Sequence, residues 1–101
     1  MTSPLHQFVQ AAQDHGRFSL SGQSAKTNAA YRKLKKAREE LRRQPDSAEA
    51  ALLALLEHPD ASVRTWAAYY LLPTRELDAI RALTSVATGP DLIAFGAEMT
   101  L

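Results

Sequence analysis

Three histidines, a pair of adjacent glutamates and one serine in a small polar stretch are the side chains of this sequence whose types could carry chemistry. His6, His15 and His58 include no pair spaced i, i+4, the spacing that sets two imidazoles on one helical face. A zinc set draws on histidine, cysteine and carboxylate ligands, and the chain has no cysteine to complete one. The same absence removes thiol nucleophiles, thiolate metal sites and disulfides. The histidines are therefore expected at the surface or in turns. His58, just before Pro59, stands at a helix end where an imidazolium would complement the helix dipole. Glu39 and Glu40 are neighbours, so a helix sends them to different sides and they make no acid–base dyad. Ser21, in SLSGQS, belongs to neither a phosphate loop nor a nucleophile elbow and reads as linker. No catalytic, cofactor-binding or metal-binding residue is expected, and the chain is not expected to be an enzyme.

The elements that would position these residues are helices. Alanine and leucine supply 32 of the 101 residues, whereas valine and isoleucine supply five. The first two lose little side-chain freedom in a helix, and the strand-favouring β-branched residues are scarce. With 46% hydrophobic and 23% charged residues, the chain can build a core, so general disorder is excluded. The length suits one domain over 1–101, with a helix and loop over 1–25 ahead of a core over 26–101. The longest apolar run, Ala50 to Leu56, is too short for a bilayer, which takes about 20 residues. MTSPLHQFVQ carries neither a basic leader nor a long apolar segment, so a cytoplasmic protein is expected.

Apolar spacing and stop signals place five helices and a sixth segment. The first is expected from Ser3 (cap, with Pro4 following) to Asp14, with Leu5, Phe8, Val9 and Ala12 inward, Gly16 ending it and FSLSGQS as a loop. A second runs from Lys26 to Gln44 with Ala30, Leu34, Ala37 and Leu41 on one face, stopped by Pro45 and Asp46. The third starts at Asp46 or Ser47 and reaches His58, with Ala51, Leu52, Leu55 and Leu56 inward. Asp60 begins a fourth, Ala61 to Leu72, with Val63, Trp66, Ala67, Tyr70 and Leu71 buried and Tyr69 outward as a candidate interface anchor. Thr74 caps a fifth, in which Leu77, Ile80, Leu83 and Val86 or Ala87 face inward up to Gly89. Pro90 opens the sixth, with Leu92, Ile93, Phe95, Ala97, Met99 and Leu101. Short connections make consecutive helices antiparallel, so the expected fold is all-α: a stack of helical hairpins.

The net charge of +1 hides a segregation. Lys26, Arg32, Lys33, Lys35, Lys36, Arg38, Arg42 and Arg43 stand against Glu39 and Glu40, a net +6 over residues 26–44. From Pro45 to Leu101 eight acids meet three bases, a net −5. Such a run can be a solvated face, a docking surface for a protein, or a phosphate-binding face. Lys26, Arg32, Lys33, Lys36 and Arg43 share one side of the expected helix. The near-neutral total and the lack of interleaved glycine and aromatic residues argue against nucleic acid.

HPDASVRTWAAYYL resembles the turn and second helix of a HEAT repeat, carried by Asp60, Val63, Arg64, Ala67, Ala68 and Leu71. Asp60 would accept backbone N–H groups at the helix start, Arg64 would reach an acceptor at the adjoining turn, and Val63, Ala67 and Leu71 would pack inward a turn apart. The hairpin spacing, about 25 to 30 residues, is short of the roughly 40–47 of HEAT arrays. Taken with Tyr31 in the basic helix, the leucine-rich Leu52 to Leu56 and the closing GPDLIAFGAEMTL, the region from Asn28 to Leu101 resembles a family of small bacterial proteins, domain of unknown function 2019. AFGAEMTL is its most specific element; members continue into a tryptophan-containing basic tail, whereas this sequence ends at Leu101. The resemblance implies a HEAT-like all-helical fold, implies no catalytic activity, and is compatible with adaptor or toxin-immunity roles. The expectation is a cofactor-free protein-interaction module whose interface residues are Arg32, Lys35, Lys36, Tyr69 and Glu76. Its partner would be another protein, with nucleic acid binding through 26–44 as the alternative, no membrane association, and homodimerisation through open apolar end faces.

Overall fold

A computed structural model of the chain describes residues 3–87. The described residues form five α-helices and no strand: α1 (Pro4–Leu20), α2 (Ser24–Leu41), α3 (Pro45–Leu55), α4 (Ala61–Leu71) and α5 (Glu76–Ala87). The fold is all-α, as the alanine and leucine content requires. The sixth segment expected from Pro90 lies outside the described residues. The chain divides into two compact units, Met1–Ala48 and Glu49–Leu101.

In the first unit α1 packs along α2, and a connection of only three residues makes the pair antiparallel. Ser3 caps α1 as expected: its Oγ accepts from the His6 N–H at 3.2 Å, with Pro4 in the first position. The helix does not end at Gly16 but runs on through Phe18–Leu20, so that only Ser21, Gly22 and Gln23 of FSLSGQS form the connecting loop. Gly16 is buried one turn beyond Ala12 and two beyond Phe8, on the face that packs. A mid-helix glycine costs only about 1 kcal/mol relative to alanine, which burial of that face outweighs. The stop is Gly22, at φ +72°. There the Gln23 N–H donates to the Phe18 carbonyl at 3.0 Å and the Gly22 N–H to the Ser19 carbonyl at 3.3 Å, a Schellman closure that satisfies the last carbonyls. From α2 the interior takes Ala30, Leu34 and Ala37, while Leu41 is half-buried.

Pro45 does not merely stop α2; it opens α3, because a proline at a first helical position forfeits no hydrogen bond. The helix ends at Leu55, short of His58, and residues 56–58 close in tighter turns onto the carbonyls of Leu53, Ala54 and Leu55. In the second unit Leu52 and Leu55 of α3 are buried, and Glu49 Oε1 accepts from Arg75 Nε at 3.1 Å. The antiparallel α4 and α5 pack through Val63, Ala67, Ala68 and Leu71 against Ala79, Leu83 and Val86. Here α5 departs from expectation in two respects. It begins at Glu76, without Thr74 as its cap residue, and Leu77 and Ile80 point outward, 72% and 38% exposed. The buried stripe Ala79, Leu83 and Val86 is spaced i, i+4, i+7, shares Leu83 and Val86 with the expected face, and is led by a small Ala79 that permits the closer helix approach.

Candidate functional site

The turn before α4 is built from its own side chains. Asp60 Oδ1 accepts from the N–H groups of Ser62 at 2.8 Å and Val63 at 3.2 Å, capping the helix. Arg64 reaches back one turn, and its Nη1 donates to the carbonyls of His58 at 2.8 Å and Pro59 at 2.9 Å. His58 Nδ1 accepts from the Asp60 N–H at 3.0 Å. His58 thus serves in this turn as a side-chain acceptor for the backbone. Val63, Ala67, Ala68 and Leu71 are buried. All six residues that carried the repeat-like motif thus have structural work within this unit, and Asp60, His58 and Arg64 are committed to backbone groups.

Beyond the cap, α4 carries an aromatic cluster. Trp66 and Tyr69 meet edge to face at 5.7 Å and 76°, Tyr69 and Tyr70 at 5.4 Å and 68°, and Trp66 and Tyr70 at 5.9 Å. Trp66 and Tyr70 are half-buried, whereas Tyr69 is 45% exposed, the outward position expected of it. Glu76 is exposed in the first turn of α5. A groove of about 520 Å³ in this unit is lined by His58, Arg64, Asp78, Arg81 and Ser85, with Glu57 among the others.

In the first unit the cations of α2 and of the two residues after it, Arg38 apart, fall into two groups. Lys26 Nζ stands 5.4 Å from the centre of the Phe18 ring, with the Arg17 guanidinium 4.8 Å away, and Arg43 pairs with Glu40 at 3.6 Å. Arg32, Lys33, Lys35, Lys36 and Arg42 are exposed and make no ion pair among the described residues. Arg32, Lys35 and Lys36, spaced i, i+3 and i+4, are brought together on this helix, whereas Tyr69 and Glu76 belong to the other unit. A second groove, about 420 Å³, runs beside α1 and α2. Gln7, Gln10, Ala11 and Asp14 line one side and Lys33 and Lys36 the other, with His6 at one end. Asp14 is engaged on its own helix by Arg17 Nη2 at 3.0 Å and Gln10 Nε2 at 3.1 Å. The α1 wall escaped the sequence reading. Its only sequence signal is the spacing 7, 10, 14, a polar stripe that acquires meaning once α2 lies beside it. His15, half-buried on α1, is held below its ordinary pKa because burial penalises the charged ring.

Among the described residues, no three histidine, aspartate or glutamate side chains converge to hold a metal ion. Nor is any described helix long and apolar enough to cross a membrane. A family model described as "Domain of unknown function (DUF2019)" matches residues 5–101. The match takes in α1 and reaches well ahead of Asn28, where the resemblance in the sequence begins. No curated protein and no solved structure matches the chain.

Proposed function

The chain belongs to the DUF2019 family, and on that footing we propose that it is a non-catalytic, cytoplasmic protein-interaction module of the adaptor or toxin-immunity kind. The observation that supports this reading is Tyr69. A tyrosine 45% exposed and braced edge-on by Trp66 and Tyr70 is a rigid aromatic surface already set in place. Tyrosine and tryptophan are the residue types that anchor interfaces, and an ordered ring loses little freedom when a partner covers it. Leu77 and Ile80 add exposed apolar area in the same unit, a surface that a partner or a second copy of the chain would cover. The test is affinity capture from the native host with the wild type and Tyr69→Ala. A discrete protein should be retained by the wild type and lost by the variant, with unchanged circular dichroism. Equal capture by both, or no captured protein, overturns the reading.

The alternative, nucleic acid binding through residues 26–44, has one observation in its favour: five exposed cations of α2 and its C-terminal end that make no ion pair among the described residues. It requires oligonucleotide binding that weakens steeply with salt and disappears in Lys33→Glu/Lys36→Glu. Absent or salt-independent binding rejects it.

A further inference from the structure

We propose that the groove beside α1 and α2 receives a short acidic peptide segment of a partner protein, two of whose carboxylates face Lys33 and Lys36. The inference rests on the interaction reading but uses a different surface, so Tyr69-dependent capture can succeed where this proposal fails, and the reverse.

Three observations carry it. The groove is concave and about 420 Å³, within the range of pockets that hold small ligands. Its charge is uncompensated among the described residues: Lys33 and Lys36 make no ion pair there, while Asp14, the carboxylate in the opposite wall, is already engaged by Arg17 and Gln10. At i, i+3 on one helix their Cβ atoms are about 5–6 Å apart, so the two ammonium groups repel, and a pair of carboxylates relieves that repulsion. Alternate side chains of an extended peptide, about 6.5–7 Å apart, lie within about 1–2 Å of this Cβ spacing, a difference that the long lysine stems take up.

The walls also favour a peptide over a phosphodiester. Gln10, one of the lining residues, spends one amide hydrogen on Asp14, and its side-chain carbonyl is an acceptor. A peptide N–H can use that acceptor, whereas a phosphate group at neutral pH chiefly offers acceptors. Asp14 in the wall opposes a dense run of phosphates, and the lysines present point charges without the planar fork that guides arginine to phosphate. The groove of the other unit lacks this asymmetry. There Arg64 is spent on two carbonyls, and Glu57 and Asp78 accompany Arg81 along the same lining.

The experiment is fluorescence anisotropy of the full chain with three labelled probes: a short peptide alternating glutamate and alanine, its glutamine counterpart, and an oligothymidylate. The glutamate peptide should bind the wild type, lose affinity about tenfold in Lys33→Gln/Lys36→Gln, and weaken as salt is raised. Arg81→Gln, which removes an exposed charge in the other unit, should bind as the wild type does. The substituted side chains are exposed, so circular dichroism should be unchanged and a loss cannot be assigned to unfolding. The proposal is overturned if the glutamine peptide binds equally, if the lysine variant binds as well as the wild type, if Arg81→Gln loses as much, if the oligothymidylate binds more tightly and displaces the peptide, or if the glutamate peptide does not bind.

Discussion

Replacing Asp60 by alanine removes a single oxygen that caps α4 through two backbone N–H groups, at 2.8 and 3.2 Å. The first contact has good hydrogen-bond length and the second is at the long end, so the pair acts as one strong cap rather than two independent bonds. Loss of an aspartate cap costs about 0.5–2 kcal/mol, and the partial burial of this turn favours the middle of that range, about 1 kcal/mol. For a chain of this size that corresponds to a fall in Tm of about 4–8 °C. Asparagine presents the same acceptor oxygen and caps about as well, so Asp60→Asn should cost no more than a few tenths of a kcal/mol. The assay is urea unfolding followed by far-UV circular dichroism and by the fluorescence of Trp66, the single tryptophan of the chain, which lies on the capped helix. Because Arg64 holds the carbonyls of the same turn, Asp60→Ala combined with Arg64→Met should cost less than the sum of the two. The reasoning is refuted if Asp60→Asn is as destabilising as Asp60→Ala, or if Asp60→Ala melts with the wild type.

Leu83→Ala, at a fully buried position, should cost about 2–5 kcal/mol, whereas Leu77→Ser, at a 72% exposed position on the same helix, should stay within about 0.5 kcal/mol; comparable losses in urea titrations would contradict the observed phase of α5. Gly22→Ala should cost about 1–2 kcal/mol purely from its left-handed backbone, since nothing lies within 4 Å of the added methyl, and Gly22→Asn should cost less; equal melting of all three proteins would reject the Schellman closure. Burial holds His15 below its ordinary value of 6.5, so the unfolded chain takes up the proton first as pH falls. The stability from this group is therefore fully present above about pH 6.5 and is lost as pH falls through the lower folded-state value. His15→Gln should show a flatter stability profile below that pH, and identical slopes would refute the assignment.

What was legible in the sequence was local. Asp60 bonds two and three residues ahead and Arg64 five and six residues back, so the motif contains both partners within one turn of chain. The spacing of Ala30, Leu34 and Ala37 identified the buried face of α2 for the same reason. Features that depend on which helix lies alongside were not legible. Leu77 and Ile80 outweigh Ala79 in hydrophobicity, yet the pairing with α4 selects the alanine-led stripe. Gly16 and Gly22 look equally able to end a helix; the first is retained because its face is buried, and the second closes the free carbonyls. Lys33 and Lys36 stood out by charge, but the Gln10 and Asp14 wall of their groove comes from how α1 lies along α2. Tyr69 was legible as outward, though not the edge-on bracing by Trp66 and Tyr70 that fixes its ring.

The pairing of neighbours in the chain, α1 with α2 and α4 with α5, bears on how quickly the native state is reached. Each hairpin closes a connection of only a few residues, so little chain entropy is lost before packing begins to reward it. Topologies dominated by such near-neighbour contacts refold in microseconds to milliseconds, which leaves little time for Leu77 and Ile80, exposed even in the finished molecule, to be joined by other bare apolar side chains during synthesis.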